Sequence, residues 1–415
     1  MKRGIFLCGF TFLALLGALA ATPAGQNQSA PAAAPPKAPD VRFAYGGNAA
    51  EVPAEFSGNL FFLPVRVDLS QPSLFELDTT APFSSIDPQR AAELGLISGD
   101  ASANAATTGA PAIREAVLNL PGVAFPMVPL STSPNPEFLA RNGRIYQGTL
   151  GNDFLSRVIV EIDYSRQTVR LYDPSAYQYS GKGVAFPLRF AGSVPLLRAK
   201  FTVPGHKTYD ADFEVNTALP DAVILSDRYA GRHGIFSSKI RTIPDVDTEV
   251  GGSEKIALGR LHDFQVGKYE AGDVIAGFAQ PGKNDRADPK IAGTIGGGYL
   301  RRFTVILDYP HKRMYLEPNS HFNDYVEADM SGLAIIARGP GLKTFEIAAV
   351  VPNTPGAEAG LQKGDIIAGV DGEAAADLSL TAVRELFRQI GHKYKLLIER
   401  NGQTLTITIQ MRRLV

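Results

Sequence analysis

The chain has 415 residues, of which 45% are hydrophobic and 20% charged, and its formal net charge is −1. That composition belongs to a folded protein of several domains rather than a disordered one. With no long basic block it excludes a nucleic-acid partner, which needs a concentrated positive face.

Lys2 and Arg3, an apolar run from Gly4 to Leu16 and the small-x-small site Ala18-Leu19-Ala20 open the chain. This is the pattern of a secretory signal peptide over 1–21, and it predicts a periplasmic or secreted protein. The run is short for a membrane span, so a membrane is met only if the segment stays uncleaved. Cys8, the single cysteine, lies inside it, which leaves a processed chain no thiol or disulfide chemistry. Residues 22–55 read as a flexible leader, rich in Pro, Ala, Gln and Ser to Asp40 and weakly patterned after it.

The β pattern begins at Leu60 and runs to Leu69. Phe75-Glu-Leu-Asp78-Thr79-Thr80-Ala81 follows, an apolar strand that delivers a carboxylate into a turn of small residues. A helix-like Gln89 to Leu94 then ends at Gly95. Ala116 to Leu120 alternates as a strand, and Ser131 to Gly143, polar and rich in Pro and Asn, reads as a loop. Gly148-Thr-Leu-Gly151 leads into a predicted hairpin, Val158 to Tyr164 and Thr168 to Tyr172.

The same order then recurs. Phe213-Glu-Val-Asn216-Thr217-Ala218 repeats the first element 138 positions on, with Asn where the first copy has Asp. Gly293-Thr-Ile-Gly296 leads into Phe303 to Tyr309, 145 positions after Gly148. Two elements in one order at nearly one spacing imply an internal duplication. The predicted units are a β lobe over 56–178, a second over 183–320 and a compact unit over 330–412. In the last, Leu380 to Ile390 is an amphipathic helix, and Asn401-Gly402 turns a final hairpin.

The duplicated part resembles the retropepsin-like and pepsin-like aspartic peptidases. Their apolar strand, Asp-Thr/Ser-Gly-Ala/Ser turn and later apolar-apolar-Gly are matched here by Asp78-Thr79-Thr80-Ala81 with Leu150-Gly151, and by Asn216-Thr217-Ala218 with Ile295-Gly296. The C-terminal stretch Pro352-x-x-Pro355-Gly-Ala-Glu-Ala-Gly-Leu361-Gln-Lys-Gly-Asp-Ile-Ile367 resembles a bacterial PDZ domain. Together these imply a mainly β protein: two duplicated aspartic-peptidase-like lobes followed by an α+β PDZ domain.

The resemblance implies that Asp78 and position 216 form the catalytic pair and that Thr79 and Thr217 cross-brace their loops. Such peptidases need two carboxylates that share one proton across a water. Asn216 can neither hold that proton nor act as acid or base. The family glycine after the threonine is also replaced, by Thr80 and Ala218, and a Cβ there is expected to crowd the site. The expected protein therefore binds extended peptides or protein tails, with hydrolysis impaired; the alternative is an active aspartic endopeptidase using Asp78. Asp212, Glu214 and Asp221 are the candidates to replace the missing carboxylate.

The resemblance to a PDZ domain implies binding of a peptide terminus by strand addition. The candidate residues are Ser331-Gly332-Leu333-Ala334 for the carboxylate loop, with Val383 and Leu386 lining the groove or filling the core. No cofactor is expected. Gly293-Thr-Ile-Gly296-Gly-Gly298 precedes a strand rather than a helix, so it fails as a nucleotide loop. The six histidines are scattered, so no metal is expected. There is no Gly-x-Ser-x-Gly.

Overall fold

The computed structural model describes residues 40–97, 113–134, 136–205, 207–235, 240–244, 255–280 and 288–415. The predicted signal segment, and the leader as far as residue 39, lie outside them.

Strand Leu60–Val67 sets the frame of the first lobe. Phe61, Leu63, Val65 and Val67 point into the main core, while Leu60 and Phe62 pack on the other face with Tyr146. Both faces are covered, which is why the segment reads as nearly continuous apolar sequence rather than clean alternation. Ser73–Leu77 pairs antiparallel to it, with Phe62 opposite Glu76. Gly148–Leu150 pairs parallel to Ser73–Leu77, setting Thr149 opposite Glu76 and Leu150 opposite Leu77.

The second lobe repeats this register. Val194–Thr202 and Thr208–Val215 pair antiparallel. Ile291–Ile295 then runs parallel to the latter, with Thr294 opposite Glu214 and Ile295 opposite Val215. Between the lobes lies a six-stranded sheet built from both copies. Its order is Val184–Pro187, Arg313–Pro318, Phe303–Asp308, Ile159–Asp163, Thr168–Tyr172 and Ala49–Pro53. At its centre Ile159–Asp163 and Phe303–Asp308, duplicated strands, pair antiparallel to each other. One hydrophobic core runs from Val52 to Leu316 through both lobes.

In the lobes, two sequence expectations change. Residues 40–55 are not leader: Arg42–Phe43 pairs with Val123–Val128, and Ala49–Pro53 closes the edge of the shared sheet with Val52 fully buried against it. Their apolar residues are few, but each is placed where a sheet edge needs one. Within the expected loop Ser131 to Gly143, Pro136–Asn142 is a helix. Proline at a first helical turn loses no hydrogen bond, and Phe138, Leu139 and Ala140 find apolar neighbours on other elements.

The C-terminal unit is a separate six-stranded sheet with its own core of Leu333, Ile335, Phe345, Ile367, Val383 and their neighbours. Leu333–Arg338 is its edge strand. Helix Leu380–Leu386 starts from Ser379, whose hydroxyl accepts the Ala382 N–H, and stops earlier than the predicted 390. The last hairpin turns on Asn401 and Gly402, with φ of 51° and 77°, the two left-handed residues that a tight hairpin requires.

Candidate functional site

Asp78 and Asn216 sit just beyond the ends of equivalent strands, Ser73–Leu77 and Thr208–Val215. The Asp78 N–H donates to the Leu150 carbonyl at 3.1 Å, and the Asn216 N–H to the Ile295 carbonyl at 2.9 Å. On the side-chain side, Asp78 Oδ1 accepts from the Thr80 N–H and hydroxyl, both at 2.7 Å. Asn216 Oδ1 accepts from the Ala218 N–H at 2.7 Å. Thr80 therefore does not merely add bulk where a glycine was expected; its hydroxyl is a second donor to Asp78. The two side chains line one cavity of about 390 Å³.

Behind them the threonines interlock across the lobe boundary. Thr79 Oγ1 donates to the Val215 carbonyl at 2.5 Å and accepts the Thr217 N–H at 3.0 Å. Thr217 Oγ1 donates to the Leu77 carbonyl at 2.5 Å and accepts the Thr79 N–H at 3.2 Å. Both threonines are buried. Thr79→Val keeps the shape and removes the hydroxyl, stranding the Val215 carbonyl and the Thr217 N–H. Leaving buried groups unpaired costs about 1–3 kcal/mol each, so this variant should lose about 2–6 kcal/mol of stability, measured as a lower urea midpoint. The double change with Thr217→Val should cost less than the sum of the singles, because the two share partners.

The glycines beneath the pair are forced by close approach. A Cβ on Gly151 would stand 2.6 Å from the Phe83 carbonyl carbon, and one on Gly296 2.3 Å from the Asp221 carbonyl oxygen. Ser84 ties the turn after Asp78 to this layer. Its N–H and hydroxyl donate to Asp153 Oδ1 at 2.8 and 2.7 Å, and its oxygen accepts the Gly151 N–H at 3.1 Å.

The residue that sequence reasoning passed over is Glu76. It lies two positions before Asp78, hence on the same face of the strand, and it lines the same cavity. It is 3% exposed, hydrogen-bonds Tyr146, and has its Oε1 buried with no partner. Burial, with the charge of Asp78 adding to it, pushes its carboxyl from 4.5 up to about 8. The signal was visible as a charged residue in an apolar strand, present in both copies as Glu76 and Glu214.

None of the three expected replacements joins the pair. Asp212 is ion-paired to Arg189 and Arg198. Glu214, raised by burial, meets Thr294 Oγ1 at 3.4 Å. Asp221 lines a different cavity, between the lobes and the C-terminal unit.

At the C-terminal unit the expected carboxylate loop Ser331-Gly332-Leu333-Ala334 is in part strand: Leu333 and Ala334 open the edge strand and pair with Val350 and Ala349, while the Ser331 and Gly332 carbonyls accept the Gly356 and Val351 N–H at 2.8 and 2.9 Å. The Ser331 N–H donates to Asp329 Oδ1 at 2.7 Å, and the Leu333 N–H to Ser331 Oγ at 3.1 Å. Val383 is fully buried in the core, and Leu386 packs against that core from its margin. The edge strand carries Ala334 and Ile336 on its outer face, where Ala140 of helix Pro136–Asn142 packs. Ser57 and Thr381 share a hydroxyl–hydroxyl bond of 2.9 Å across the same boundary. A Cβ on Gly143 would stand 2.6 Å from the Leu380 Cβ, and Gly143 has φ +62°. Gly143→Val, both overpacked and strained, should destabilise by about 1–3 kcal/mol. Faster amide exchange in Leu380–Leu386 would show that the damage falls at this boundary.

Residues 346–400 match the PDZ domain family, and this part of the chain is a PDZ domain. No curated protein matches the sequence. Among solved structures, the aspartic proteinase from Irpex lacteus is similar at a TM-score of 0.41 and 13% identity, over 66% of this chain and 98% of that one.

Proposed function

We propose that this is an exported protein that binds extended peptides or protein tails through the cleft at Asp78 and Asn216 and through its PDZ domain, with hydrolysis impaired. The PDZ domain supports peptide binding in general, since such domains add a strand to a sheet edge. The observation that carries the rest is the pairing itself. Asp78 and Asn216 hold equivalent places on one braced frame, and one of them is an amide.

The chemistry follows from that difference. A carboxylate pair activates water because one member takes its proton while the other donates toward the carbonyl, the two titrating as one unit. An amide neither ionises nor takes up a proton at any ordinary pH. Asn216 can still donate its N–H₂ to a peptide carbonyl, so the site keeps recognition while losing half of the proton relay. A second reading is favoured by Glu76 alone. There Asp78 would act as base and the neutral Glu76 carboxyl as acid, giving an active endopeptidase.

The test is mass spectrometry of a mixed peptide library incubated from acid to neutral pH with the wild type, Asp78→Ala and Asn216→Asp. The expected result is intact peptide with the first two and cleavage with the third. Cleavage by the wild type that disappears in Asp78→Ala would overturn the impaired-site reading.

A further inference from the structure

We infer that the cavity beside Asp78 is a subsite for a basic side chain, lysine or arginine, of a bound peptide, whose cation sits between Glu76 and Asp78. The inference rests on the peptide-binding reading of the cleft and names which peptides that cleft prefers.

The donors and acceptors are one-sided. The cavity is lined by two carboxyls, the hydroxyl residues Ser85, Ser131, Ser133 and Thr149, and Asn216, and no lysine, arginine or histidine lines it. Glu76 Oε1 is an acceptor already buried and still without a partner. Buried polar groups nearly always have a hydrogen-bond partner, so an exception that lines a cavity calls for one. A cation with several N–H donors is the ligand that satisfies it and Asp78 together. The cavity is also walled by Ala81, Pro82, Phe83 and Phe138, with Phe83 exposed. A long side chain lays its methylenes on such a wall while its charged head reaches polar groups. A divalent metal is less suited: among the described residues no group of three or more His, Cys, Asp or Glu could hold one.

Binding is coupled to a proton. The groups acting on Glu76 are Asp78 on its own segment and Tyr146, which hydrogen-bonds it; Arg141 acts on Tyr146 but lines the other cavity. With its carboxyl raised to about 8, free Glu76 is neutral at pH 7. An arriving cation favours the carboxylate, so the carboxyl proton leaves to solvent as the ion pair forms.

The experiment is titration calorimetry of the full chain at pH 7 with Ac-Ala-Val-Ala-X-Ala-Val-Ala-NH₂, X being Lys, Arg, norleucine or Glu, in buffers of different ionisation enthalpy. Lys and Arg peptides should bind at least about tenfold tighter than norleucine, a factor equivalent to 1.4 kcal/mol, and release protons. Glu76→Gln should abolish both the preference for Lys and Arg over norleucine and the proton release. Equal binding of Lys and norleucine, or a preference that persists in Glu76→Gln, would overturn the inference and leave peptide binding standing. If no peptide binds, the cleft reading itself fails. The subsite is then decided by n-butylammonium alone, which must lower the infrared titration midpoint of Glu76; an unmoved midpoint overturns it.

Discussion

Glu76→Gln should make this protein more stable at pH 8 by up to about 5 kcal/mol while leaving its stability at pH 4 nearly unchanged. Glu76 titrates near 4.5 when free and near 8 in the fold, because burial and the neighbouring Asp78 charge both oppose its ionisation. Between those values the folded chain holds a proton that the unfolded chain has released. Stability therefore stands in full below about 4.5, declines as pH rises and levels off above about 8. At 1.36 kcal/mol per unit, the 3.5-unit interval amounts to about 5 kcal/mol. Glutamine accepts the same Tyr146 hydrogen bond and has no proton to lose, so its curve should lack this slope. Urea unfolding of both proteins at pH 4, 6 and 8 measures the difference. Parallel curves would show that Glu76 ionises as freely in the fold as outside it.

On the proposed reading, Asn216→Asp should convert a cleft that only binds peptides into one that cuts them. The new carboxyl would enter a frame already fitted to it: the Ala218 N–H donates to the 216 side chain, and the threonine interlock holds the loop to its counterpart. Lining one small cavity with Asp78, it would share one proton, since two like charges held close together do not both ionise. General acid–base catalysis of this kind contributes about 10²–10⁴-fold, so cleavage should rise by that order. Activity should follow a bell-shaped profile in the acid range, falling once both carboxyls are ionised and again once both are protonated. Asn216→Ala, which removes the side chain without adding a carboxyl, should stay silent. Silence in Asn216→Asp as well would show that residue 216 is not what limits cleavage, with Thr80 and Ala218, where glycines were expected, as the next residues to change.

Much of this architecture is legible in the amino-acid sequence alone. The recurrence of Phe-Glu-apolar-Asp/Asn-Thr, and of Gly-Thr-apolar-Gly 145 positions apart, implies two lobes, and the parallel registers of Thr149 with Glu76 and Thr294 with Glu214 realise it in space. The hairpin at Asn401-Gly402 is legible because only a left-handed turn wants that pair. What escapes such a reading depends on tertiary partners. Arg42–Phe43 and Ala49–Pro53 are too short and mixed to announce themselves, and become strands because a sheet edge is waiting. Helix Pro136–Asn142 hides in loop-like composition and is held by contacts from Phe138, Leu139 and Ala140. Glu76 is in plain view, but a charge in an apolar strand gains meaning only once its burial and its cavity are known.

The most direct test of the central claim is to follow one peptide through binding and recovery. The wild-type chain would be titrated with the library's tightest-binding member to measure affinity, then incubated with it overnight at pH 4 and pH 7 and the peptide's mass determined. Saturable binding that is weakened by Asp78→Ala, with the peptide recovered whole at both pH values, is the predicted result. Fragments in the wild-type sample that are missing with Asp78→Ala would contradict it, and would show that Asp78 works with a partner other than the residue opposite it.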